Sequence, residues 1–195
     1  MDTIIFYLKD ILLELLPNVP IVVLICCIMA VILRKKRYKF SFLYELGVGL
    51  FMLYCVALFS ETISIQSIIC SITSGNIRID DNINIIPFYG ILQVIQSGEL
   101  PYIVLNILGN ILMFLPMGFF LPLLWKRLSN VKVVIFFGIL ISALIEISQL
   151  YICRGTDIDD LILNTVGTFM GYLSYRLINK LFPRFTSKFI LKVVD

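Results

Sequence analysis

The sequence predicts an all-α integral membrane protein, a bundle of about five transmembrane helices with a long extracytoplasmic loop between the second and third. Three observations carry that expectation. Hydrophobic residues make up 59% of the 195-residue chain and charged residues only 15%, at a mean hydropathy of +0.98; a soluble domain carries about 25% charged residues. The apolar residues gather in five runs close to the ~20 residues that cross a bilayer. The basic residues gather between alternate runs. The length suits one membrane domain, 1–195, with no room for a second. The opening Met-Asp-Thr has no basic leader or small-residue cleavage site, so no cleavable signal peptide is expected.

The first run ends at Leu33, and its clean part begins at Val19. That is short for a span, so the helix is expected to reach back towards Ile11 and to kink at Pro17 and Pro20. The alternative is a separate surface helix at the start, with Ile4, Ile5, Leu8, Ile11, Leu12 and Leu15 on one face and Asp10 and Glu14 opposite. The second run is about Phe42 to Phe59 and the third Leu100 to Leu124. The fourth is Val131 to Ile152 and the fifth Ile158 to Ile178. Pro116 and Gly118 are expected to bend the third helix.

Basic flanks orient the stack. Arg34, Lys35, Lys36, Arg37 and Lys39 follow the first run, and Lys126, Arg127 and Lys132 join the third to the fourth. Arg176, Lys180, Arg184, Lys188 and Lys192 close the chain, so 13 of the 16 basic residues share one side. The positive-inside rule makes that side cytoplasmic, with the N-terminus outside and the C-terminus inside a bacterial cytoplasmic membrane. Topogenic charge also explains the net charge of +3 without a nucleic-acid partner. Glu45 then lies near the cytoplasmic end, within reach of residues 34–39, in a snorkelling or ion-paired role.

The stretch Ser60 to Glu99 is the long external segment. Asn76 to Ile85 alternates polar residues with Ile, which predicts a short extended piece or hairpin. Ile91, Leu92 and Ile95 predict a short helix lying on the membrane surface.

Against this apolar background, polar groups inside the runs need a reason. Asn106 and Asn110 are four residues apart on the third helix and share a face. Glu146 and Gln149 share a face of the fourth. The turn Arg154-Gly-Thr-Asp157-Ile-Asp-Asp160 follows, and Asn164 opens onto Gly167 and Gly171, a small-xxx-small strip for close helix contact. At about 1.5 Å per residue, Glu146 lies roughly 9 Å inside its run, with Asn106 and Asn164 at a similar depth. These groups therefore predict a polar pocket in the outer leaflet, roofed by the 154–160 turn. A carboxyl group at the depth of Glu146 must be protonated, paired or facing water, and each option requires a polar cavity. The plainer readings stay open: interhelical hydrogen bonds for the asparagines, an N-cap for Asp160, and a structural ion pair for Arg154.

The chain has no histidine. That removes His-based nucleophile pairs and His-based zinc or haem sites. The five cysteines lack metal-ligand spacing, so no metal or cofactor is expected. Cys26, Cys27 and Cys55 lie inside apolar runs as packing residues, whereas Cys70 and Cys153 fall on one side and could pair.

Taken together, Asn84-Ile-Ile-Pro-Phe88, Asn106-Ile-Leu-Gly-Asn110, Phe114-Leu-Pro-Met-Gly118, Glu146-Ile-Ser-Gln149, Arg154-Gly-Thr-Asp157-Ile-Asp-Asp160 and Asn164-Thr-Val-Gly167 resemble the VanZ-like family of bacterial membrane proteins. The resemblance covers about residues 40–180. It implies reduced susceptibility to lipoglycopeptide antibiotics, teicoplanin more than vancomycin, acting at the cell envelope. It supplies no agreed catalytic residues.

Two functions of different class follow. In the first, the pocket binds a membrane lipid or lipid-linked cell-wall precursor, with Arg154 on a phosphate and Glu146, Asn106, Asn110, Gln149, Asp157, Asp160 and Asn164 supplying polar contacts. In the second, the chain is an intramembrane enzyme on such a lipid, with Glu146 as general acid or base and Asp157 and Asp160 holding a divalent cation. Transport is a weaker third, because five helices would need an oligomer and no inverted repeat is visible.

Overall fold

A computed structural model describes residues 20, 23, 24, 27, 28, 31, 32, 41–62, 83–150 and 156–190. The expectations for the N-terminal segment, the basic stretch 34–39, residues 76–82, Cys70, Cys153 and Arg154 lie outside these residues. Of the first run, Val23, Leu24, Cys27, Ile28, Val31 and Ile32 are described, and they are helical and exposed.

The elements follow the apolar runs. Helix α1 spans Phe42–Thr62, and a two-residue strand β1 is Ile83–Asn84. Helix α2, Tyr89–Gln96, is the short amphipathic helix expected in the external segment. Helix α3 comprises Leu100–Ile103, a wide π-helical turn at Val104–Leu108, and Gly109–Leu124. Pro116 and Pro122 lie inside it without breaking its continuity. A turn at Lys126–Leu128 leads to α4, Val131–Leu150, then strand β2, Thr156–Asp157, and helix α5, Ile158–Leu181. Helix α6, Pro183–Thr186, and a 3₁₀ turn at Ser187–Phe189 follow.

Among the described residues three helices are long and apolar enough to cross a membrane: Phe42–Ser60, Leu100–Leu124 and Val131–Gln149. Helix α5 has the length, 24 residues, but not the apolar composition, because Asp159, Asp160, Asn164, Thr165 and Thr168 dilute its first half. Asp159, Leu163, Asn164, Gly167, Thr168, Gly171 and Tyr172 are buried against neighbouring helices, so the polar side of α5 faces protein.

Among the described elements the α3–α5 contact is the most extensive, with α4 packing on α5 and α1 on α3. Glycines set its closeness. A Cβ at Gly167 would overlap the carbonyl oxygen of Ile111, and one at Gly171 that of Leu115. The strip that the sequence marks as a contact is thus a place where backbone touches backbone. Two apolar clusters complete the bundle. Tyr44, Val48, Leu123, Leu124 and Phe189 close one end, and Leu58, Phe114, Met117, Leu121 and Ile145 fill the middle.

Among the described residues the basic side chains gather at one end of the bundle. Ser41 at the start of α1 donates to the carbonyl of Lys188 (2.8 Å), and the Tyr172 hydroxyl to that of Ser129 (3.3 Å). The start of α1, the α3–α4 turn and the end of α5 therefore share one end, with Lys126, Arg127, Lys132, Arg176, Lys180, Arg184 and Lys188. The other end holds the start of α5, the end of α4 and the end of α1, where Gln149 donates to the carbonyl of Thr62 (3.4 Å). Asp157, Asp159 and Asp160 lie there.

Candidate functional site

The acidic end is organised by the first turn of α5. Asp157 is its N-cap: one carboxyl oxygen accepts from the backbone N–H of Asp159 (2.9 Å) and from the Asn84 amide (2.9 Å). The N-cap is therefore Asp157. Asp160 instead accepts from Asn110 across the α3–α5 contact (2.6 Å). Strand β2 pairs in parallel with β1, Ile83 opposite Thr156 and Asn84 opposite Asp157. The extended piece expected near residues 76–85 thus ends in a strand whose partner lies 73 residues away, a pairing that alternation cannot reveal.

Glu146 is buried, 7% exposed, on α4. It accepts the backbone N–H of Asp157 (3.1 Å), and its own carbonyl accepts from the Thr156 hydroxyl (3.2 Å). The carboxyl group thus holds β2 onto α4. Asn164 is 4% exposed and donates to Ser142 on α4 (2.9 Å), one turn deeper in the bundle. Among the described residues its side-chain oxygen has no hydrogen-bond partner.

Two cavities flank Asp157. The first, about 240 Å³, is lined by Gly90, Gln93 and Val94 of α2, Tyr102 and Asn106 of α3, and Asp157, Asp159 and Asp160 among others. The Asn106 amide donates to the carbonyl of Tyr102 in its own helix (2.8 Å), within the stretch where the π-helical turn widens α3. Wide turns of this kind are rare and are frequently found at functional sites. The second cavity, about 180 Å³, is a mostly apolar groove lined by Ile83, Ile85, Ala143, Glu146, Ile147, Ile158 and Leu161 among others.

The structure therefore brings Asn106, Asn110, Asp157 and Asp160 to one cavity wall and its immediate support, with Glu146 directly behind Asp157. Asn164 and Gln149 line neither cavity. Among the described residues no group of three or more His, Cys, Asp or Glu side chains is placed to hold a metal ion.

Sequence reasoning passed over Asp159. It is 2% exposed, and its two carboxyl oxygens accept from the backbone N–H groups of Phe88 (2.5 Å) and Ile91 (2.9 Å). Phe88 is the N-cap of α2 and has a left-handed backbone, φ 67°. A non-glycine residue there costs about 1–3 kcal/mol and persists only where its surroundings hold it. The Asp159 carboxyl does the holding, and so fixes α2 as a wall of the first cavity. The doubled aspartate at 159–160 was the available signal. Its two members point at different partners, which spacing alone does not show.

A family comparison bears directly on this chain: the VanZ/LLP1 family model matches residues 21–179. The chain belongs to the VanZ/LLP1 family. The match takes in every residue of both cavities and reaches further towards the N-terminus than the motif blocks do. No curated protein and no solved structure matches the chain. VanZ/LLP1 membership points to a membrane protein of the glycopeptide-resistance type, and the three apolar helices fit that placement.

Proposed function

We propose that this VanZ/LLP1 member is a five-span protein of the bacterial cytoplasmic membrane that lowers susceptibility to teicoplanin-type lipoglycopeptides by binding a lipid or lipid-linked cell-wall precursor. Its N-terminus is outside, its C-terminus cytoplasmic, and its acidic end in the outer leaflet. One observation carries the reading: the roughly 240 Å³ cavity bounded by Tyr102, Asn106, Asp157, Asp159 and Asp160 at the end opposite the described basic residues. Basic residues mark the cytoplasmic face, so the cavity opens where cell-wall precursors are exposed. Its carboxyl and amide groups accept hydrogen bonds, which suits the hydroxyl-rich head of a lipid-linked sugar. The apolar groove on the far side of Asp157 suits the chain of the same amphiphile.

Glu146 separates binding from catalysis. Glu146→Gln keeps an oxygen to accept from Asp157 N–H, whereas Glu146→Leu removes it. Teicoplanin susceptibility of a host expressing each variant is the measurement. If the chain acts by binding, Gln retains the protection and Leu loses it. Loss in both variants, with each still present in the membrane, would overturn the binding reading in favour of acid–base catalysis by Glu146.

A further inference from the structure

We infer that Ile83–Gln96 is a re-entrant wedge inserted among the lipid acyl chains of the leaflet that holds the Glu146 end of α4, anchored by Asp159. It does not lie on the membrane surface. The inference rests on the membrane-spanning reading of α3 and α4 and not on any ligand of the cavity.

Depth is the first argument. Glu146 and Ala143 lie four and seven residues before Leu150, the last residue of α4. At about 1.5 Å per residue that is roughly 6 and 10 Å inside the helix end. The Glu146 carboxyl bonds Asp157 N–H, so β2 runs at that level, and β1 is paired beside it. Ile83 and Ile85 line the same groove as Ala143. The segment therefore descends alongside α4 to a depth where its outer side meets hydrocarbon.

Its outer side is built for that contact. Ile85 is 75% exposed, Ile86 61% and Phe88 56%, and Leu92 and Ile95 of α2 are exposed beside them. Leu100, Leu105, Leu108 and Leu112 of α3, the apolar helix that follows, are exposed as well. In water so much exposed apolar surface would be an aggregation liability.

Irregular backbone survives at membrane depth only where its polar groups are satisfied by protein. Here they are. Ile86 N–H is accepted by the Asn84 side chain (3.1 Å), and Phe88 and Ile91 N–H by Asp159. Tyr89 and Leu92 N–H reach the carbonyls of Ile86 (3.2 Å) and Phe88 (3.0 Å). Pro87 has no N–H to satisfy. Such local satisfaction is redundant in water and required in hydrocarbon.

The test uses the full-length chain in proteoliposomes, with Trp125, the single tryptophan, replaced by Phe. A reporter tryptophan is placed at Ile85, at Ile86 or, as a spanning reference, at Leu112. Ile85→Trp and Ile86→Trp are expected to be quenched by lipids brominated on the acyl chains about as strongly as Leu112→Trp, and to be spared by aqueous iodide. Iodide quenching at positions 85 and 86, with Leu112→Trp still quenched by bromolipid, overturns the wedge and leaves the span intact. Failure of bromolipid at all three positions overturns both. Protection from both quenchers that disappears on dilution of the protein in lipid would mean that a second copy covers the patch, and overturns the wedge. Adding Asp159→Ala, or the milder Asp159→Asn, is expected to shift Ile85→Trp towards iodide. An unchanged profile in both overturns the anchoring role.

Discussion

At the scale of single residues, the acidic cluster of α5 divides its labour. Asp157 caps the helix and binds Asn84, Asp160 binds Asn110, and Asp159 holds α2 by two backbone donors. Each hydrogen bond to a charged group contributes about 1.5–3 kcal/mol, and a donor left buried without a partner costs a comparable amount. Asp159→Ala strands both N–H groups and releases the left-handed backbone at Phe88. It should destabilise the protein by about 3 kcal/mol. At about 2–4 °C per kcal/mol for a chain of this size, the melting midpoint in detergent should fall by roughly 6–12 °C. An unchanged midpoint would mean that α2 is held by something else. Sequence pattern shows that this turn is special, because charge inside an apolar chain is conspicuous. It cannot show which aspartate meets which donor, because that depends on where residues 84–91 pass.

At the scale of elements, α5 is the instructive case. Its composition is too polar to mark it as a span, yet its contact with α3 is the most extensive among the described elements. Lipid gives no hydrophobic drive for helices to associate, so small residues that let backbones approach supply the packing energy. Gly171→Leu should push α5 off Leu115 and cost at least about 3 kcal/mol, the upper end for overpacking. Leucine is the better helix former and the more apolar residue, so lower yield and a lower melting midpoint would point to the contact itself. Normal yield and melting would show that the α3–α5 seam tolerates separation. The strip Gly167-Thr-Phe-Met-Gly171 is legible from sequence because its spacing is helical. The π-helical turn at Val104–Leu108 is not, since no residue type there enforces it. Asn164 lies between these cases: a buried asparagine is visible as a polar interruption, but its donation to Ser142 on α4 makes it an interhelical link that lines neither cavity.

At the scale of the whole molecule, the separation of charge predicts orientation. In a cysteine-free background, Ser97→Cys at the acidic end should react with a membrane-impermeant maleimide in intact cells. Ser129→Cys at the basic end should react only after permeabilisation. Both residues are exposed, so access is set by sidedness. The reverse pattern would put the polar cavity in the cytoplasm and remove it from contact with exported cell-wall precursors. The sequence by itself determined the class of protein, the helical runs, the charge asymmetry and the family motifs. These follow from composition and period, which are local properties that a bilayer reads directly. Tertiary structure alone decided that β1 pairs with β2, that Asp159 grips α2, and that Glu146 holds the Asp157 backbone while a polar cavity and an apolar groove lie on either side. Those contacts join residues distant in sequence, and nothing in the local pattern specifies which buried polar group will satisfy which.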